Sequence, residues 1–85
     1  MKYKADIDIM PHKELLDPQG KTVAKNLHNV DITGVDSVRI GKHIEMTLDA
    51  DDQSTAEAKV EDACKKLLAN VIMETYHYTV TAQPE

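Results

Sequence analysis

"MKYKADIDIMP", residues 1–11, sets the architecture. Tyr3, Ala5, Ile7 and Ile9 are apolar or aromatic, and Lys2, Lys4, Asp6 and Asp8 between them are charged. A period of two with one charged side predicts a half-buried strand, and Pro11 ends it. "TYHYTVTA", residues 75–82, repeats the pattern, with Tyr76, Tyr78 and Val80 opposed to Thr75, His77, Thr79 and Thr81. Strands of this kind need cover on one face only, so helices are expected on a single side of an antiparallel sheet.

Two helical patterns lie between these strands. In the first, Asp17 is suited to accept from a free backbone N–H as N-cap, and Pro18 fits the first helical position. Val23, Ala24, Leu27 and Val30 recur at three- and four-residue intervals, so a helix is expected from about Pro18 to Asn29. "DITGVD", residues 31–36, then turns the chain. In the second, Ser54 and Glu57 have capping-box spacing, and Val60, Ala63, Cys64, Leu67 and Leu68 form the apolar stripe. Asn70 is placed to end that helix in the left-handed conformation.

The middle stretch, "VDSVRIGKHIEMTLDA" at residues 35–50, carries Val38, Ile40, Ile44, Met46 and Leu48 with even parity. A two-residue turn at Gly41 and Lys42 would bring His43, Glu45 and Thr47 inward, which is wrong for a core. That leaves one long strand bent at Gly41, or a three-residue hairpin with a bulge. The expected fold is α+β: a two-layer sandwich of ferredoxin-like character, its antiparallel sheet (β-α-long bent β or ββ-α-β) covered by two helices on one face. Residues 1–85 are expected to make a single domain.

Composition narrows the function classes. A chain of 85 residues without Phe or Trp has little area to bury, which favours self-association. Ten basic and fifteen acidic residues give a net charge of −5, against nucleic acid or an anionic membrane as partner. The alternating N-terminus is neither a signal peptide nor a membrane span. One cysteine, Cys64, permits no internal disulfide and fits a reducing, cytoplasmic setting.

No catalytic, cofactor or metal site is expected. His12, His28, His43 and His77 lack metal-ligand spacing, and Cys64 falls on the apolar helix stripe as a small core residue. Asp6 and Asp8 stand about 7 Å apart on one strand face, but Lys2 and Lys4 continue the same polar row. Asp49, Asp51 and Asp52 lack EF-hand spacing and suit the approach to a helix N-terminus. "DPQGK" and "RIGK" lack P-loop spacing, so their glycines are read as points of close backbone contact.

"LLDPQGKTVAKNL", "VDSVRIGKHIEMTL" and "KKLLANVIMETYHYTV", in that order and spacing, resemble the small subunit of phosphoribosylformylglycinamidine synthase, the PurS family, over Tyr3 to Val80. The resemblance implies a non-catalytic subunit that dimerises or assembles further, docks on a large synthetase subunit and helps to place a glutaminase subunit. ATP, Mg and glutamine would be used by those partners. Under this reading Gly20 is glycine because the first helical turn lies close to a neighbouring chain, with Asp17, Pro18 and Lys21 around it. Arg39, Gly41 and Lys42 form a second contact region. Two other classes fit less well. A ferredoxin-like sensor binding an amino acid or nucleotide at a dimer interface would need a Gly-rich turn after the first strand, where glycine comes only late. An acylphosphatase-like enzyme would need an Arg in that same loop, and the sole Arg is Arg39.

Overall fold

A computed structural model describes residues 1–13 and 17–84. Leu15 and Leu16 of the family-like segment lie outside the described residues. The elements are β1 (Lys2–Pro11), α1 (Pro18–Asn29), β2 (Lys42–Asp49), α2 (Gln53–Ala63) running into a π-helical turn (Cys64–Leu68), and β3 (Glu74–Ala82).

The alternation of β1 does what its period requires. β1 is the central strand of a three-stranded sheet ordered β2-β1-β3, antiparallel throughout. On the inner face Ala5 lies between Met46 and Val80, and Ile7 between Ile44 and Tyr78. Ala5, Ile7 and Ile9 are fully buried, and Tyr3 nearly so. Burying one aliphatic side chain of this size contributes about 1.5–3 kcal/mol, so β1 is the main source of core stability.

α2 covers this face. Its N-cap is Asp52, whose carboxylate accepts from the Thr55 amide at 2.7 Å. The expected capping box therefore shifts: Ser54 lies inside the helix, because a carboxylate two residues earlier takes the capping contact. That hydrogen bond holds the Asp52 carboxyl below its usual range. Ala56, Val60 and Cys64, spaced by four, are fully buried against the sheet. Burial pushes the Cys64 thiol up, as suits a core residue.

Beyond Ala63 the helix widens, and the Ala69 amide donates to the Cys64 carbonyl across five residues at 3.0 Å. The wider turn rotates the expected stripe: Leu67 is 81% exposed, Leu68 is half-buried and Ala69 takes the inner position. Asn70 is not left-handed; its side-chain oxygen accepts from the Ile72 amide and its carbonyl from Met73 and Glu74, ordering the turn into β3. The Tyr76 hydroxyl donates to Glu61 at 2.7 Å, tying β3 to α2, and this bond pushes the Tyr76 hydroxyl up to about 12.

The α+β architecture of three antiparallel strands and two helices is as expected, while α1 takes a different place from α2. α1 has no contact with any strand comparable to that of α2. Its expected stripe is only partly covered: Ala24 and Leu27 are half-buried, while Val23 and Val30 are exposed. The reason lies in its first turn, which is tied to the segment before β2 and not to the sheet. That segment also resolves the two middle readings. β2 begins at Lys42, and residues 32–40 belong to no ladder, so there is no hairpin; Val38 and Ile40 keep the even parity as half-buried residues outside the sheet. The turn after α1 uses Asp31 and Gly34 in left-handed conformations, with φ of 63° and 81°. The chain is accordingly extended: its radius of gyration is 16.7 Å, against about 12 Å for a compact chain of this length.

Candidate assembly surface

Asp17 joins the two segments that the sequence singles out separately. One carboxylate oxygen accepts from the Gly20 amide at 2.9 Å, as an N-cap should, and the other from the Ile40 amide at 2.8 Å. An N-cap carboxylate has a second oxygen to spare, and here it satisfies a backbone donor that would otherwise pair in a strand. Asp17 and Gly20 thus lie against the segment that carries Arg39.

Gly20 is buried. A Cβ there would lie 2.9 Å from the Val38 carbonyl carbon and closer still to its oxygen. The close neighbour is the chain's own segment, which is reason enough for glycine at this position. Gly41 is similar: a Cβ would lie 3.2 Å from the Ile9 carbonyl carbon and closer to its oxygen. Lys42 pairs with Ile9 on the inner face and its ammonium reaches the Leu68 carbonyl at 3.4 Å and Glu74 at 4.0 Å. It closes the end of the π-helical turn. The Arg39 guanidinium donates to the Pro11 carbonyl at the end of β1. Pro18 and Lys21 are exposed, and the contacts they make run through backbone: the Lys21 amide donates to the Asp17 carbonyl at 3.0 Å and the Pro18 carbonyl accepts from the Thr22 hydroxyl at 2.9 Å.

The hydrogen bonds from Gly20 and then Ile40 hold the Asp17 carboxyl below its usual value of 3.8. A depressed folded value means that Asp17 contributes stability above pH 3.8, which disappears as pH falls through the lower folded value. Asparagine caps helices as well as aspartate but cannot titrate. The Asp17→Asn variant is expected to lose melting temperature less steeply than the parent between about pH 4 and pH 2, followed by circular dichroism. Parallel acid limbs would remove Asp17 from the account.

The outer face of the sheet is a lattice of charges created by strand register. Lys2 meets Asp49 at 2.8 Å, and Lys4 lies 3.8 Å from Asp6 and 3.7 Å from Glu45. His43 Nδ1 is 2.7 Å from Asp8 and its Nε2 3.6 Å from Asp6, and the Asp8 bond raises the His43 pKa. Asp6, His43 and Glu45 bring one ligand atom each within 4.8 Å, a grouping that sequence spacing does not show because β1–β2 register creates it. Lys4 lies close to both carboxylates, and the groups are largely exposed, so the cluster is read as solvent-screened ion pairing.

Apolar surface remains uncovered in two places. Val23, Val30, Ile32 and Val35 are exposed along α1 and the segment after it; Leu67, Val71, Ile72 and Met73 are exposed between the π-helical turn and β3. Among the described residues no helix is long and apolar enough to cross a membrane.

The family profile described as PurS: Phosphoribosylformylglycinamidine (FGAM) synthase matches residues 4–82. The phosphoribosylformylglycinamidine synthase subunit PurS of Synechocystis is 40% identical over 80 residues, 94% of this chain and 80% of that protein. The subunit of the same name from Bacillus subtilis is 38% identical over 78 residues, 92% of each chain. Among solved structures, B. subtilis PurS in its C2 crystal form superposes with a TM-score of 0.85 at 38% identity, covering 94% of this chain and 99% of that one. A chain of PurLQS from Thermotoga maritima gives 0.87 at 29% identity, with 94% and 98% coverage.

Proposed function

The chain belongs to the PurS family of phosphoribosylformylglycinamidine synthase subunits, and from that membership we propose how it works: as an adaptor with no chemistry of its own. It is a subunit of a ligase and takes part in catalysis only within the complex. The observation that carries the reading is α1 with the segment after it, standing off the sheet with Val23, Val30, Ile32 and Val35 exposed. A chain of 85 residues does not leave so much apolar surface open unless other molecules cover it.

The partners in this reading are further copies of the same chain, a large synthetase subunit and a glutaminase subunit. The large subunit converts formylglycinamide ribonucleotide to the amidine with ATP and Mg, and the glutaminase releases ammonia from glutamine. This chain, a single domain working in the cytoplasm, holds the two so that ammonia passes between them. Asp17, Pro18, Gly20, Lys21, Arg39, Gly41 and Lys42 form one contact region. Its rigidity, fixed by the Asp17 bonds to Gly20 and Ile40, supports that role.

The test is reconstitution. With ADP and glutamine present, the three proteins are expected to co-elute as one species. Omitting this chain should abolish glutamine-driven turnover while ammonia-driven turnover by the large subunit persists. Equal glutaminase recruitment without this chain overturns the reading.

A further inference from the structure

Where β1 ends and β3 begins, Pro11, His12, Lys13, Arg39 and Thr75 line an open cavity of about 340 Å³. Three of these five carry basic groups and no carboxylate lines the cavity among the described residues, in a chain whose net charge is −5. The volume suits a small ligand or one end of a larger one.

Two of the basic residues, His12 and Arg39, sit on anchored backbone from separate parts of the chain. The His12 amide donates to the Met73 carbonyl at 2.9 Å, fixing the residues after β1 against the turn before β3. Arg39 is held on one side by the bond from its neighbour Ile40 to Asp17, and its own guanidinium donates to Pro11. One donation leaves the rest of the guanidinium fork available. Thr75 pairs with Met10 in the ladder, and its hydroxyl stands 3.5 Å from the Met10 carbonyl. Groups held in place before binding lose little entropy when a ligand arrives.

We propose that this cavity binds a phosphate group. Arg39 and Lys13 bring two permanent positive charges and His12 an imidazole to one cavity, which suits an anion that carries more than one negative charge. The phosphate is either free or the ester of a small metabolite, and both present the same oxygens. The inference goes beyond the adaptor role, because the site is complete within one chain.

The test is a nitrogen–proton NMR titration of the full chain at constant ionic strength, in one arm with inorganic phosphate and in the other with ribose 5-phosphate. Saturable shifts confined to His12, Lys13, Arg39 and Thr75 are expected. Tighter binding of the ester assigns a phosphorylated metabolite, and equal or tighter binding of inorganic phosphate assigns the free anion. Arg39→Ala should weaken binding about tenfold or more. Because Arg39 also anchors Pro11, Lys13→Gln is the second variant: it touches no anchor and should still weaken binding several-fold. Lys66→Ala, on the far helix, should change nothing. Shifts that do not saturate, that spread over the surface lysines, or that survive Lys13→Gln unchanged overturn the proposal.

Discussion

Ile7→Ala is expected to lower the unfolding free energy by about 2–5 kcal/mol, a large part of what a chain of 85 residues has. At about 0.05–0.15 kcal/mol per residue, the whole domain is worth about 4–13 kcal/mol. Ile7 is fully buried at the centre of the middle strand, in the cluster with Ala5, Ile9, Val60, Cys64 and Ala69. The site has few ways to collapse, because the neighbours below it are β-sheet backbone and those above are the small side chains of α2. Urea unfolding at fixed protein concentration should show a lower midpoint with an unchanged slope. Met46→Ala is the comparison. Met46 lies on the same inner face but is half-buried, since among the described residues α2 packs on β1 and β3 more than on β2, and its loss should cost clearly less. A cost below 1 kcal/mol for Ile7→Ala would place the core elsewhere.

The contrast between Ile7 and Met46 also marks where the sequence is legible. Alternation in β1 and β3 is a local property, so it points Tyr3, Ala5, Ile7 and Ile9 inward without help from the rest of the chain, and all four are buried. The start of α1 follows from Asp17 and Pro18, which act on the nearest backbone. What is not legible depends on distant groups. Nothing in the spacing of Leu67 announces that a π-helical turn will rotate it outward. The parity of Val38 and Ile40 reads as strand, but the Asp17 carboxylate claims the Ile40 amide from the far end of another element. α1 carries an apolar stripe as α2 does, yet no sheet lies beneath that stripe in this chain. Asp17, Gly20, Arg39 and Gly41, expected to face a neighbouring chain, are each engaged by this chain itself. Their mutual contact is not legible, because residues 17 and 40 meet only in three dimensions.

That contact makes Gly20 the sharper test. Helix propensity alone predicts that Gly20→Ala stabilises α1 by up to about 1 kcal/mol. The structure predicts the opposite sign. A Cβ at this position would press on the Val38 carbonyl, which is backbone and cannot swing aside, so the segment from Val38 to Ile40 must move. Overpacking of this kind costs about 1–3 kcal/mol. The displaced segment should also release the Ile40 amide from Asp17, visible as faster hydrogen exchange there, while exchange in the β1–β3 ladder stays slow. Lys21→Glu separates the internal role from the external one: its side chain is exposed, so stability should hold while binding to the large subunit weakens. If Gly20→Ala stabilises the chain and leaves Ile40 protected, the first turn is free of its own chain, and the glycine must answer to a partner instead.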